Sequence, residues 1–307
     1  MIKMQPFLGQ KTSSRRKRIN AVLLWILIPT LLWSLLTLEQ RSLYQPDRTS
    51  YNDPGIALSH SPLKQKIQNI YFQTRDGIKI NGWYVSPQSG KSTIVFAHGN
   101  GGNQGDRLDV LSAFTERGYG FLSFDYQGYG SSEGTASEAG LYKDMEAASL
   151  YLDAQGIPIQ RQIAMGESLG SGVVVDVATR IPYQAVILYA SFTSTPSVAS
   201  ALRDKNGWGW LSFLPLNVIM QQHFDSLSKM QRVTSPVLII HGDHDEMMPL
   251  SMPKALFARA LNRHKKLLII PGAGHNSVFQ MGQSRILQTL DSFLSELTQK
   301  TTSRLPE

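Results

Sequence analysis

The sequence predicts an α/β fold with a mostly parallel central sheet flanked by helices. Short apolar runs alternate with longer helix-like stretches from about residue 92 onward. The runs lack the strict polar alternation of a half-exposed strand, which is typical of parallel strands covered on both faces. Glycine follows several helix-like stretches, as expected of helix C-caps.

The strands are predicted to begin with a hairpin, because Asp76-Gly77 joins two strand-like runs and accepts a positive φ. Strands are predicted at residues 67–74, 78–85, 93–98, 119–125, 162–166, 185–190, 237–242 and 266–272. Helices are predicted at residues 106–117, 137–155, 168–180 and 277–297. Together they define a predicted domain at residues 67–307.

A small cap is predicted at about residues 191–233, where the alternation of strands and helices breaks down. We expect it over the carboxyl ends of the strands, where ligands gather in an open α/β sheet. Its large apolar side chains either line an apolar acyl pocket or pack the cap on the domain. These side chains are Trp208, Trp210, Phe213, Leu214 and Phe224.

The N-terminal part of the chain is predicted to anchor it in a membrane. Residues 19–38 carry no charge, and a stretch of this length can cross a hydrocarbon core as a helix. The alternative is a cleaved signal peptide, whose apolar region is normally shorter and ends in small residues. We therefore expect an uncleaved signal anchor, followed by an irregular tether at residues 39–66.

The charge distribution predicts the orientation of this anchor. Residues 1–18 contain lysine and arginine but no acidic residue, and such flanks stay in the cytoplasm. The domain is then extracytoplasmic, as in a bacterial inner-membrane protein that faces the periplasm. This tail holds most of the formal net charge of +7, which argues against nucleic acid as a partner of the domain. The absence of cysteine excludes disulfides and thiol chemistry.

Ser168 is the candidate nucleophile. It is the centre of the segment Gly-Glu-Ser-Leu-Gly, which fits the GxSxG elbow between a strand and a helix. A side chain at Gly166 or Gly170 would press this turn against its neighbours. The following helix aims free backbone N–H groups at a developing anion. The alternative is a glycine-rich turn with a solvated serine, but its position favours the nucleophile.

A serine nucleophile needs a base and a carboxylate that orients the base. His275 is the candidate base, because it follows the last predicted strand in a glycine-rich loop that can bend back over the sheet. Asp243, Asp245 and Glu246 are all available as the acid. Asp245 is the candidate, and Asp243 is its main rival as a turn-capping residue. Asp125 also follows a strand, but we interpret it as a residue that orders its loop.

Other chemistry receives less support from the sequence. His241, Asp243, His244 and Asp245 offer metal-ligating atoms, but ligands this close on one turn rarely converge, so we expect no metal. The glycine-rich segment at residues 98–103 lacks the pattern of a phosphate loop. We expect it instead to form an oxyanion hole, with backbone N–H donors at Asn100 and Leu169.

The chain resembles the α/β-hydrolase superfamily, and within it the membrane-tethered subfamily of eukaryotic acyl-protein depalmitoylating hydrolases and their bacterial relatives. The resemblance spans about residues 67–297 and includes the order nucleophile, acid, base. It implies Ser168 as nucleophile, Asp245 as acid and His275 as base, with oxyanion donors at Asn100 and Leu169. The matching segments are DGIKINGWYV, HGNGGN, FDYQGYGSSEG, GESLGSG, HGDHDEMMP and GAGHNS.

This resemblance and the residues predict a serine hydrolase that cleaves carboxylic esters or thioesters of a small-molecule or lipid-like acyl substrate, without a cofactor. The eukaryotic depalmitoylating members carry an N-terminal cysteine cluster, which this chain lacks. A serine peptidase or amidase is the alternative enzyme, since the same triad supports it. A catalytically idle scaffold that binds a partner or lipid at the membrane is the alternative outside enzymes.

Overall fold

The computed structural model describes Thr30, Ser34, residues 37–49 and residues 66–302. The chain divides into two units, Met1–Leu43 and Tyr44–Glu307. In the first unit, residues 37–43 are helical. Most of the predicted anchor at residues 19–38 lies outside the described residues. Within the part of the chain that is described, no helix combines the length and apolarity that crossing a membrane requires.

The second unit contains an eight-stranded sheet. Its strand order is β8-β7-β6-β5-β3-β4-β2-β1, and β2 runs in the direction opposite to the other seven strands. The strands are β1 (Gln68–Gln73), β2 (Lys79–Val85), β3 (Thr93–Ala97), β4 (Gly120–Phe124), β5 (Gln162–Glu167), β6 (Ala185–Tyr189), β7 (Val237–Gly242) and β8 (Lys265–Ile270). The predicted hairpin and the mostly parallel sheet are therefore confirmed.

Helices cover both faces of this sheet. Ile94 and Phe96 of β3 pack in one core cluster with residues of α1 and α8. On the opposite face, α2 and α3 pack against each other and both contact β3. The helices are α1 (Leu108–Thr115), α2 (Glu138–Ala154), α3 (Leu169–Ala178), α4 (Thr195–Lys205), α5 (Leu216–Ile219), α6 (Ser226–Met230), α7 (Ser251–Arg259) and α8 (Val278–Thr302).

The central strands are buried along their whole length, which explains the continuous apolar runs of the sequence. Every residue of β3, β4, β6 and β7 is buried, because both faces of a parallel sheet are covered by helices. The flanking helices of the prediction are confirmed. Helix α7 was not predicted. It contains Pro253 in its first turn, where the N–H that proline lacks would have no acceptor within the helix. Helix α8 ends five residues later than predicted.

Residues 191–233 form α4, α5 and α6 and the loops between them. The packing interpretation is wrong for three of the aromatic side chains in this segment. Trp208, Trp210 and Phe213 are 55%, 70% and 72% exposed, so they do not pack the segment on the domain. Phe224 is buried and its ring packs edge-on against Tyr142 of α2, as the packing interpretation requires.

A short stretch of the predicted tether belongs to the second unit. Tyr44 is buried, and Gln45–Pro46 forms a two-residue parallel bridge with Gly101–Gly102 in the loop after β3. The backbone N–H of Gln45 donates to the carbonyl oxygen of Asn100 at 3.0 Å. This stretch therefore covers the loop in which an oxyanion donor is predicted.

The carboxylate of Glu138, at the start of α2, connects the cap segment to this helix. It accepts hydrogen bonds from the backbone N–H groups of His223 and Phe224 and from the Tyr142 hydroxyl. We expect Glu138→Ala to lower the free energy of unfolding by about 2 kcal/mol, because two backbone donors lose a charged acceptor. Urea unfolding measures this change. The exposed Glu133→Ala is the control, and equal stability of the two variants would contradict the assignment.

Candidate active site

Ser168 lies on a strained turn between β5 and α3. Its φ of 49° and ψ of −116° place a non-glycine residue in a sparsely populated region of backbone conformation. The backbone N–H of Ser168 is held by the carbonyl of Tyr189 at the end of β6. The residue is buried, with 8% of its surface exposed, so it is not the solvated serine of the alternative interpretation.

Two glycines permit this turn, because backbone atoms lie where their side chains would be. A Cβ on Gly166 would overlap the carbonyl group of Gly170. A Cβ on Gly170 would overlap the carbonyl oxygen of Ala97, and it would lie 2.8 Å from that of His98. The first turn of α3 therefore packs directly on the end of β3, as the sequence analysis expected of the two glycines.

The structure brings Ser168, His275 and Asp245 together from three separate loops. The Oγ atom of Ser168 lies 3.0 Å from Nε2 of His275. The other ring nitrogen, Nδ1, lies 2.8 Å from Oδ2 of Asp245. An ionised carboxylate only accepts hydrogen bonds, so Nδ1 carries the hydrogen, and Nε2 of the neutral ring accepts from the serine hydroxyl. This is the arrangement of a nucleophile, a base and an orienting acid.

Asp245 is held ionised by its surroundings. Its side chain is fully buried, and its Oδ1 accepts hydrogen bonds from the backbone N–H groups of Met247 at 3.0 Å and Met248 at 2.8 Å. Burial raises the pKa of the Asp245 carboxyl, but the hydrogen bond from His275 and the contacts with Met248 and His241 outweigh burial, so its pKa is below the ordinary value. The carboxylate therefore stays negative beside the imidazole.

The rival acids face other partners. Asp243 is exposed and accepts a hydrogen bond from the backbone N–H of Gly272 at 2.6 Å. Asp125 is buried and accepts from the backbone N–H of Gln104 at 2.7 Å and from its side chain at 3.1 Å. Within the described ranges, no three metal-ligating side chains are grouped as a metal site requires. Asp125 thus orders a loop, in agreement with its interpretation from the sequence.

The backbone N–H groups of Asn100 and Leu169 lie on the two segments that meet beside Ser168. Leu169 is the first residue of α3, where helical N–H groups have no intrahelical acceptor. Asn100 lies in the loop that follows β3 and His98. Neither N–H donates a hydrogen bond within the part of the chain that is described. Both are therefore available to an oxygen anion.

A charged pair that was not predicted from the sequence lies beside the serine. Arg107 donates to Glu167, with Nε 2.9 Å from Oε2, and the backbone N–H of Gly99 is 3.3 Å from the same oxygen. Burial lowers the pKa of the Arg107 guanidinium, but the charge of Glu167 outweighs burial and raises it. A cavity of about 270 Å³ lies at this pair and reaches His275. The only sequence signal was the position of Glu167 inside the GxSxG segment.

His241 is a second histidine at the site, and from the sequence it was considered only as a metal ligand. Its Nε2 lies 2.8 Å from the carbonyl oxygen of Met248 and 3.4 Å from Oδ2 of Asp245. Burial is the main cause that lowers the pKa of the His241 imidazole, so the ring is neutral at pH 7. It therefore packs behind the acid as an uncharged donor.

Comparison with known proteins places the chain in a family. The family described as "Serine aminopeptidase, S33" matches residues 88–228. An uncharacterised protein of Mycobacterium tuberculosis is 33% identical over 84% of this chain and 88% of its own length. Human alpha/beta hydrolase domain-containing protein 17B is 35% identical over 76% of this chain and 77% of its own length. The chain belongs to the α/β-hydrolase family.

Solved structures agree with this α/β-hydrolase fold. An esterase of Pyrococcus furiosus matches 83% of this chain and 98% of its own, with 17% identity and a TM-score of 0.65. An esterase of Exiguobacterium antarcticum matches 74% of this chain and its whole length, with 18% identity and a TM-score of 0.56. Because these identities are below 20%, the likeness to the two esterases shows the fold alone.

The lowered pKa of Asp245 predicts an acid-dependent loss of stability. The Asp245 carboxyl binds a proton more readily in the unfolded chain than in the folded chain. The ionised carboxylate therefore stabilises the fold above the unfolded pKa of about 3.9, and this stability is lost as pH falls through the folded pKa. We expect the unfolding free energy of the wild type to fall more steeply below about pH 4 than that of Asp245→Asn. Asp153→Asn, at an exposed position, is the control. Parallel pH curves for wild type and Asp245→Asn would contradict the assignment.

Proposed function

We propose that this α/β hydrolase is a serine hydrolase that cleaves carboxylic esters or thioesters. The observation that carries the proposal is the continuous hydrogen-bonded chain from Ser168 through His275 to Asp245. Nucleophile and base lie within the distance that proton transfer requires. The strained backbone at Ser168 and the free N–H groups beside it support the same reaction.

In the proposed reaction, His275 Nε2 takes the hydroxyl proton while Ser168 Oγ attacks the acyl carbon. Asp245 orients the ring and stabilises the imidazolium that forms. The N–H groups of Asn100 and Leu169 hold the oxyanion of the tetrahedral intermediate. His275 then protonates the leaving alcohol or thiol, and a water activated by the same base releases the acid from the acyl-enzyme.

The cavity beside His275 suggests the size and polarity of the group that it takes. Its volume of about 270 Å³ is below the ~300–1,000 Å³ of common small-molecule pockets. Its lining includes the charged residues Asp106, Arg107, Asp109 and Glu167. We therefore propose that this side of the site takes a short or polar group rather than a long alkyl chain.

A serine peptidase or amidase is the second candidate, because the matching family is described as a serine aminopeptidase. The two candidates differ in the leaving group that His275 must protonate. A peptidase or amidase releases an amine, whereas an esterase or thioesterase releases an alcohol or thiol. A panel of paired esters and amides with the same acyl group separates them. Faster turnover of the amides would favour the peptidase. A folded protein without any turnover would favour the idle scaffold.

We also propose that residues 19–38 are an uncleaved signal anchor and that the hydrolase domain is extracytoplasmic. The support is the uncharged sequence and its basic N-terminal flank. The eukaryotic depalmitoylating hydrolases that the sequence resembles carry an N-terminal cysteine cluster, which this chain lacks. We therefore propose an acyl ester or thioester substrate outside the cytoplasm.

We expect Ser168→Ala to lower kcat for p-nitrophenyl esters by about 10⁴-fold or more, because the nucleophile is lost while the fold is kept. Steady-state kinetics with acetate, butyrate, octanoate and palmitate esters measure both the loss and the chain-length optimum, which we expect among the short esters. Ser235→Ala removes another buried serine hydroxyl, outside the site, and should retain wild-type turnover. Equal activity of Ser168→Ala and wild type would contradict the mechanism.

The absence of cysteine allows a direct test of membrane orientation. Leu261 is 73% exposed, so Leu261→Cys presents one thiol on the domain surface. We expect a membrane-impermeant maleimide to label it in intact spheroplasts. Ser13→Cys, in the basic tail, should be labelled only after lysis. The reverse pattern would contradict the proposed orientation.

A further inference from the structure

The three consecutive carbonyl groups of His98, Gly99 and Asn100 each accept a hydrogen bond from a side chain. The Tyr126 hydroxyl donates to the carbonyl oxygen of His98 at 2.7 Å. Nδ1 of His98 lies 2.7 Å from the carbonyl oxygen of Gly99. The Tyr129 hydroxyl donates to the carbonyl oxygen of Asn100 at 2.8 Å. Since a carbonyl oxygen only accepts, Nδ1 of His98 carries a hydrogen.

One buried cluster consists of the side chains of His98, Tyr126 and Tyr129, and we call it the aromatic bracket. Each of the three side chains is fully buried. The His98 ring lies 4.4 Å from the Tyr126 ring and 5.4 Å from the Tyr129 ring, and the two tyrosine rings lie 5.6 Å apart. Burial raises the pKa of both phenols well above the ordinary value, so both hydroxyls keep the proton that they donate.

The geometry of the peptide group links these carbonyls to the candidate oxyanion hole. The carbonyl of Gly99 and the N–H of Asn100 belong to the same peptide plane, and in a trans peptide they point in opposite directions. The chain has no cis peptide bond within its described residues. When His98 holds the Gly99 carbonyl, it also sets the direction of the Asn100 N–H. The tyrosines hold the peptide planes on either side.

The loop depends on these side-chain hydrogen bonds because its glycines do not restrict the backbone to one conformation. Gly99, Gly101 and Gly102 surround Asn100, and glycine populates left-handed and right-handed conformations almost equally. An N–H on a mobile loop would lose much of its effect, since a preorganised donor owes its effect to its fixed direction. The only backbone bond to the Asn100 carbonyl in the described part of the chain comes from Gln45.

The bracket is itself held from outside the loop. Both tyrosines come from the segment after β4, which follows Asp125. Asp125 fixes this segment through Gln104, and its carbonyl accepts from the Ser132 hydroxyl at 2.7 Å. The motif Phe-Asp-Tyr-Gln-Gly-Tyr-Gly therefore connects to the site without supplying a residue that touches the serine.

We propose that His98, Tyr126 and Tyr129 are positioning residues that direct the N–H of Asn100 at the oxyanion formed on Ser168. This inference rests on the proposed function, because it assigns a role in the tetrahedral intermediate of that reaction. It predicts that the bracket acts on the transition state, with little effect on binding of the ground-state substrate.

The test uses the full chain with Tyr126→Phe and Tyr129→Phe, which remove one hydroxyl each and keep the rings. We expect each to lower kcat about tenfold and to change KM less than about twofold, since a misdirected oxyanion donor affects the transition state alone. A trifluoromethyl ketone, which forms a charged tetrahedral adduct with the serine, should bind more weakly by the same factor as kcat falls. Its unfluorinated analogue should bind unchanged.

Tyr183→Phe is the matched control. It removes another buried phenol hydroxyl, 2.6 Å from the Ser149 hydroxyl and next to the amino end of β6. We expect a comparable loss of unfolding free energy but wild-type kcat. If Tyr126→Phe and Tyr129→Phe keep wild-type kcat and ketone affinity, the proposal is overturned. It is also overturned if the control loses activity to the same extent, since the effect would then follow stability.

His98 allows a second test, because another side chain can replace its Nδ1 donor. Asparagine places an N–H donor near the position of Nδ1, whereas leucine of similar size has none. We expect His98→Asn to retain more of the wild-type kcat than His98→Leu. Equal losses would contradict the role of the Nδ1 hydrogen bond. A wild-type protein without hydrolase activity would overturn the proposed function itself, and this inference with it.

Discussion

The close approach of α3 to the end of β3 is the constraint on which the site depends. It is possible only because Gly166 and Gly170 have no side chains. It forces Ser168 into a conformation with positive φ, which costs about 1–3 kcal/mol in most residues. The packing of the helix on the sheet offsets this cost. The serine hydroxyl therefore projects from the sheet edge beside the first N–H groups of a helix.

The electrostatics of the site follow from the same edge of the sheet. The carboxyl ends of β5, β7 and β8 lead into the loops that carry Ser168, Asp245 and His275. Parallel strands bring these loops together although the residues are far apart in sequence. Asp245 is buried, but N–H donors and two imidazoles surround it. The buried carboxylate can therefore remain charged, and it determines which nitrogen of His275 faces the serine.

The fold was predictable because its signals are local. Continuous apolar runs indicate strands covered on both faces, and the glycines of the serine turn report a steric requirement that holds in any such elbow. The order of strands and helices could be predicted for the same reason. The exposure of Trp208, Trp210 and Phe213 could not, because apolar side chains indicate burial but do not say whether a neighbour covers them. Helix α7 was missed because proline in a first turn resembles a loop signal.

The sequence indicated which side chains meet at the candidate site, but not the contacts that hold them there. Asp245 and Asp243 differ in the sequence only by position, and their roles diverge through partners distant in the chain, His275 for one and Gly272 for the other. The bonds from Tyr126 and Tyr129 to the loop after β3 likewise depend on tertiary packing. No local pattern distinguishes a tyrosine that positions a loop from one that fills the core.

The measurement that tests the central claim most directly is the site of covalent modification by a fluorophosphonate. The purified full chain is incubated with the reagent, and intact-protein and peptide mass spectra locate the adduct. An activated serine predicts a single adduct on Ser168, formed more slowly in Asp245→Asn because His275 is then no longer held as the base. No adduct, or an adduct on another residue of the folded protein, would contradict the account.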